Sequence, residues 1–294
     1  MNKIIIFIFS FLLGLQISFA DVNSIQTQSG YDTAEKLTRR YNDTSINCSD
    51  ESYSSFLCSG ILLRGTHPSD KYHSWNPSPA SQARGGVSFS YLRTDSKLFT
   101  LDANYTNGFI FYPYLTVYNY ETPEVLCYFP TDANSDQREA KGCGIFLIER
   151  LSAPCQQIGV TTAQQWIKNF HRNYDTQAGQ CGFDVSIKPG KNHANAFMQG
   201  LQARWQLELK KDNELILATW PQNIPDKLPI EAFFYLPGGL AGAQHDQRDF
   251  YQQTGKIVPI IKIVLPTDYK GDATFNYNPE DQIIKTESPD NKPE

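Results

Sequence analysis

The sequence predicts a mixed α+β domain, and three observations carry that expectation. Helix-periodic segments occur early and again later in the chain. Many strand-like runs lie between them and fill the final third. No internal repeat or linker-like tract divides the 294 residues. The elements follow in order. Asp21 to Tyr31 reads as a polar lead-in, and Asp32-Thr33-Ala34-Glu35 has the form of a capping box opening a short helix through Leu37 to Tyr41. Ile61 to Arg64 is the first strong strand. From Gly65 to Gly86 the density of Pro and Gly predicts a long ordered loop without regular elements. Val87 to Leu92 alternates, with Ser88 and Ser90 on one face and Val87, Phe89 and Tyr91 on the other. Gly108 to Tyr112 and Val125 to Phe129 are further strands. Thr161 to Gln164 reads as a second capping box, before a helix with Trp166, Phe170 and Tyr174 on one stripe. Asn195 to Lys210 repeats the helical period through Phe197, Leu201, Trp205 and Leu209, all expected in the core. Strands follow at Leu215–Trp220, Ile230–Leu236 and Val258–Leu265. The expected layout is one domain over residues 21–276 and a polar, frayed tail over 277–294.

The first twenty residues stand apart. Lys3 precedes an apolar run from Ile4 to Leu15, and Ser18-Phe19-Ala20 has the small-x-small form of a signal peptidase site. Removal of that segment gives a secreted or periplasmic product of 274 residues, beginning at Asp21. No later stretch approaches the roughly 20 apolar residues of a spanning helix. Lys3 leaves with the segment, so 25 basic side chains of the original 26 face 31 acidic ones. Such a balance does not draw a chain onto phosphate backbones, and nucleic acid is excluded as a partner.

Six cysteines behind a secretory signal imply up to three disulfides, with fifteen complete pairings open. Cys127, Cys143 and Cys155 are spaced as local staples of an insertion reaching Cys181. The spacing lacks a Cys-x-x-Cys knuckle, and no metal is expected.

Familiar hydrolase signatures are missing: there is no Gly-x-Ser-x-Gly elbow, no His-Glu-x-x-His and no Walker loop. Instead, Arg64 ends an apolar strand, Ser88 and Ser90 share a strand face, and Gln244 to Tyr251 carries Asp246 and Asp249 before the strand at Val258. An arginine fork can clamp a phosphate or a ribose. Strand hydroxyls can orient it, and a carboxylate can stabilise an oxocarbenium-like centre as nicotinamide departs.

This trio resembles the arginine, Ser-Thr-Ser and acidic-pair arrangement of secreted bacterial ADP-ribosyltransferase toxins. The wider wording is similar to the halovibrin-type secreted proteins over most of the product: Cys58-Ser59-Gly60, Arg64-Gly65-Thr66, His73-Ser74-Trp75-Asn76-Pro77, Gly86 to Tyr91 and Asp246 to Tyr251. The resemblance implies an ADP-ribosyltransferase-like split β core and NAD as the molecule consumed, by a glycohydrolase or by a transferase with an acceptor protein. It implies Arg64 as the strand arginine and Ser88-Phe89-Ser90 as the Ser-Thr-Ser strand, Phe89 replacing the central threonine. Gln247-x-Asp249 stands where the toxins carry Gln-x-Glu or Glu-x-Glu, with Asp246 a second candidate carboxylate. His73 and Trp75 are expected on a loop against NAD. Aspartate is one methylene shorter than glutamate, a displacement of more than about 1 Å that is enough to cost roughly a hundredfold in rate. The long gap from Ser90 to Asp249 requires the cysteine segment and two helices to be inserted between the elements. The competing reading is a secreted glycan- or cell-surface-binding protein, for which sixteen tyrosines and four tryptophans supply stacking surface.

Overall fold

The computed structural model describes residues 22–48, 50–67, 72–112, 124–133, 142–143, 154–170, 180–186 and 192–283. The first twenty residues, expected to be a secretory segment, Tyr174 and the chain beyond residue 283 lie outside them. Among the described residues no helix is long and apolar enough to cross a membrane.

Helix α1 spans Val22–Asn42 and so begins well before Asp32, which lies within it. The expected polar lead-in is therefore helical. Ala34, Leu37 and Tyr41 form a buried stripe, continued by Gly30. Packing of that stripe, rather than a cap at Asp32, sets the helix. A small hairpin, β1 (Asn47–Cys48) with β2 (Asp50–Ser54), follows.

Among the described residues nine further strands form one open sheet. They are β3 (Ile61–Gly65), β4 (Val87–Leu92), β5 (Asn107–Phe111), β6 (Val125–Phe129), β7 (Phe183–Asp184), β8 (Glu214–Leu217), β9 (Ile230–Tyr235), β10 (Ile260–Val264) and β11 (Thr274–Tyr277). The spatial order is β11-β10-β9-β5-β3-β4-β8-β6-β7. Among the described strand pairs of this sheet β9–β10 alone is parallel, and helix α5 (Leu240–Thr254) makes the crossover that a parallel pair requires.

The long ordered loop or lid expected between Gly65 and Gly86, without a regular element, contains a short helix, α2 (Pro79–Ala83). Ser78 caps it through the Ser81 N–H, and Pro79 takes the first position, where its missing donor does no harm. Helix α3 (Ala163–Phe170) starts one residue later than the sequence suggests: Thr162 Oγ1 accepts from Gln165 N–H, and Gln165 Oε1 accepts from Thr162 N–H. Helix α4 spans His193–Gln206.

The sheet divides the core in two. On one face Leu62, Phe89, Tyr91, Phe109, Tyr128 and Phe233 pack against Trp166 of α3, Phe197 and Leu201 of α4, and Phe250 of α5. On the other face Leu63, Leu92, Ile110, Phe234 and Ile261 pack against Leu37 and Tyr41 of α1. Trp205, expected in the core, is 47% exposed. Eight residues after Phe197, it has rotated by about 80° off the buried stripe, whereas Arg204, seven residues after, is off by only about 20°. Arg204 accordingly takes the buried position.

The cysteines pair with their neighbours in sequence, Cys48–Cys58, Cys127–Cys143 and Cys155–Cys181, leaving none free. The segment assigned to the tail begins in order: Tyr277 closes β11, Tyr235 donates to Asp281 at 2.6 Å, and Gln282 binds both the N–H and the carbonyl of Ile260.

Candidate functional site

Strand register sets out the first part of the site. Ser90 lies opposite Leu63 on β3, and Phe89 lies opposite Leu215 on β8, so Ser90 faces Glu214 across the ladder. Ser88, Ser90 and Glu214 therefore share the α1 face of the sheet. Ser88 Oγ donates to Glu214 Oε1, and the Ala133 N–H donates to Glu214 Oε2 at 3.3 Å. The pairing of β3 with β4 ends at Leu63–Ser90, and the next residue, Arg64, donates from Nη1 to the Ser88 carbonyl at 2.8 Å. Arg64 stands opposite Phe109 on β5, so it springs from the other face and reaches round the end of the β3–β4 ladder.

These groups line one pocket, whose empty space is about 350 Å³ when the open solvent at its mouth is counted. Asp102, Asp132 and Asp212 complete a lining in which four carboxylates accompany Arg64. Burial, with Asp132 and Asp102 close by, pushes the Asp212 carboxyl up to about 8, while the Arg204 charge works in the opposite direction. The loops are tied together. Asp132 N–H donates to the Asp212 carbonyl at 2.9 Å, and the Asn213 side chain accepts from Tyr91 N–H at 2.6 Å while donating to the Tyr91 carbonyl at 2.7 Å. Among the described residues no group of three or more His, Cys, Asp or Glu side chains is placed to hold a metal ion.

The remaining sequence-derived candidates form a second constellation on α5, the helix that packs on the other face of the sheet. Asp249 Oδ2 accepts from His73 Nδ1 at 2.6 Å. The His73 ring lies parallel to Trp75, with centroids 4.8 Å apart, and Trp75 meets Phe250 edge-on. Trp75 is 0% exposed and its carbonyl accepts from Trp220 Nε1, so the indole is a core group with no surface for a ligand. Asp246 is buried, accepting from Asn107 Nδ2 at 3.0 Å and Thr66 Oγ1 at 3.2 Å. Burial raises its pKa, and the surrounding hydrogen bonds oppose that rise.

The structure thus brings Arg64, Ser88 and Ser90 together and does not bring Asp246, Asp249, His73 or Trp75 to the same pocket. The sheet lies between α5 and the strand serines. The carboxylate beside the serines is Glu214, which sequence reading passed over. Its signal was present: Asp212-Asn213-Glu214 has the acidic-x-Glu spacing and opens directly into the apolar run Leu215-Ile216-Leu217. Reading that run as a strand starting at Leu215 left out the residue that opens it.

No protein-family model matches the chain, and no curated protein is similar to it.

Proposed function

We propose that the protein is a secreted NAD-cleaving enzyme, a glycohydrolase or an ADP-ribosyltransferase, whose reacting end of NAD enters the Arg64–Ser88–Glu214 pocket. One observation supports this reading above the others: an arginine, a serine hydroxyl and a glutamate from three adjacent strands, β3, β4 and β8, are joined by hydrogen bonds around one pocket. The charge is suitable. Nicotinamide joined to ribose is a cation, and the sugar becomes oxocarbenium-like as the bond breaks, so an acidic lining favours both. In the proposed reaction the bond between the ribose anomeric carbon and the nicotinamide nitrogen breaks, and its electron pair neutralises the pyridinium. Water, or a nucleophile of an acceptor protein, bonds to the same carbon and loses a proton. Glu214 accepts from the ribose and faces the developing charge, Ser88 orients Glu214, and Arg64 anchors the polar backbone of the ligand at the pocket edge.

Nicotinamide release from NAD by the purified chain is the test. Glu214→Gln is expected to lower release by about 10²-fold or more, the scale of losing one electrostatic stabiliser of a transition state. Asp249→Asn is expected to leave it within a few-fold. No release by the unaltered chain, with or without a mixture of acceptor proteins, refutes the NAD reading. Loss of activity in Asp249→Asn alone would return the acidic role to α5.

A second reading rests on a separate observation. Trp205 is exposed and meets Tyr269 edge-on, and Tyr269 meets Phe99. Such an aromatic surface suits the stacking of sugar rings. Glycan binding that is lost in Trp205→Ala, in a chain that releases no nicotinamide, would favour a binding protein.

A further inference from the structure

Arg204 stands out as a buried charge that the proposed reaction does not use. It lies near the end of α4, is 0% exposed, and among its hydrogen bonds are donations to three backbone carbonyls. Nε and Nη2 donate to Lys97, Nη1 donates to Pro130 at 2.7 Å, and Nη2 also donates to Lys211. Burying a guanidinium costs free energy that carbonyl dipoles offset only when the fork is fully engaged. The three carbonyls belong to three separate segments, and each segment leads within a few residues to the pocket. Lys97 precedes Leu101 and Asp102, Pro130 precedes Asp132, and Lys211 precedes Asp212, Asn213 and Glu214.

We propose that Arg204 is the positioning residue of the pocket: its planar fork sets the relative placement of the three loops that carry the acidic lining, and its charge balances that lining from behind. The geometry explains why an arginine rather than an apolar residue occupies a core position on α4. An ammonium on a lysine stem is a compact point charge and cannot reproduce the spread of donors that the guanidinium directs at three carbonyls. The charged and titratable groups facing Asp212 are Asp102, Asp132 and Glu214, which oppose its ionisation, and Arg204, which favours it. Arg64 lines the same pocket.

The inference rests on the pocket being the reaction site, but its test separates the two. The carboxyl carbon of Asp212 is followed by NMR across pH in the full mature chain, and nicotinamide release is measured in parallel. Arg204→Met is expected to move the Asp212 midpoint upward by about one pH unit, the size of effect that an opposing nearby charge produces. Arg204→Lys is expected to leave that midpoint close to the original while lowering kcat about tenfold or more, because misplacement on the scale of 1 Å suffices for such losses. If Arg204→Met does not fold, Arg204→Lys alone decides. A lysine variant with unchanged kcat, or a methionine variant in which thermal stability falls while the Asp212 midpoint and kcat stay fixed, overturns the proposal. Absence of nicotinamide release in the unaltered chain would refute the NAD reading, and the Asp212 midpoint in Arg204→Met would then decide the charge-balancing role.

Discussion

At Asp246 a carboxylate is surrounded by donors rather than offered to solvent. Asn107 and Thr66 both donate to Oδ2, tying β5 and the segment after β3 to α5. Removing the acceptor leaves a buried amide and a buried hydroxyl without it, and such a loss costs about 1–3 kcal/mol. Asp246→Ala is therefore expected to lower the urea midpoint markedly, and Asp246→Asn, which keeps an acceptor oxygen, considerably less. Equal losses in the two variants would show that the hydrogen bonds are not what matters there. Single residues were legible from sequence to different degrees. Ser88 and Ser90 could be placed on a common face because strand alternation has a fixed period of two. Their acidic neighbour could not be chosen, because residues far apart in sequence met across β4 and β8 through a register that no local pattern specifies.

Elements show the same division. Amphipathic α3 and strands β3–β6 and β8–β10 are readable because periodicity is a local property, whereas the two-residue β7 is too short to carry a period. Helix α1 runs further towards its amino end than the local pattern predicts, and at Gly30 it is buried against the sheet. Gly30 marks that contact: a methyl group there would sit 2.2 Å from the Tyr277 ring of β11, and that ring is itself edge-packed on Tyr31. Gly30→Ala has higher intrinsic helix propensity, yet the overpacking is expected to destabilise by about 1–3 kcal/mol. Thermal melts decide which effect wins, and a rise in Tm would show that α1 shifts freely over β11. The exchange of Trp205 and Arg204 on α4 has a similar origin: a helical stripe identifies a face, whereas the loops gathered at its end decide which residue is enclosed.

Asp212 acts at the scale of the whole molecule, because three loops and three neighbouring carboxylates, Asp102, Asp132 and Glu214, meet around it. Its folded pKa, about 8, is far above the ordinary carboxylate value of 3.8. The folded state therefore holds this proton more tightly than the unfolded chain. The associated stability is fully present below about pH 4 and is lost as pH rises towards 8. Asp212→Asn cannot ionise and escapes that loss. The difference in Tm between Asp212→Asn and the unaltered chain is expected to grow in favour of asparagine from pH 5 to about pH 8, then level off. A difference independent of pH would mean that Asp212 titrates alike in both states.

The α+β class, most strands, the buried Trp166–Phe170 stripe of α3 and the strand carrying Ser88 and Ser90 follow from the sequence alone, because each depends on the periodicity of neighbouring side chains. The expectation of three disulfides also came from counting, but their pairing did not, since fifteen connectivities satisfy the same count. Only the tertiary structure separated Asp249 from the strand serines, placing it with His73 on the other side of the sheet, and brought Glu214 to Ser88 instead. The physical reason is that sheet order and crossover fix which face each element covers. Those are long-range choices, made by the packing of the entire chain.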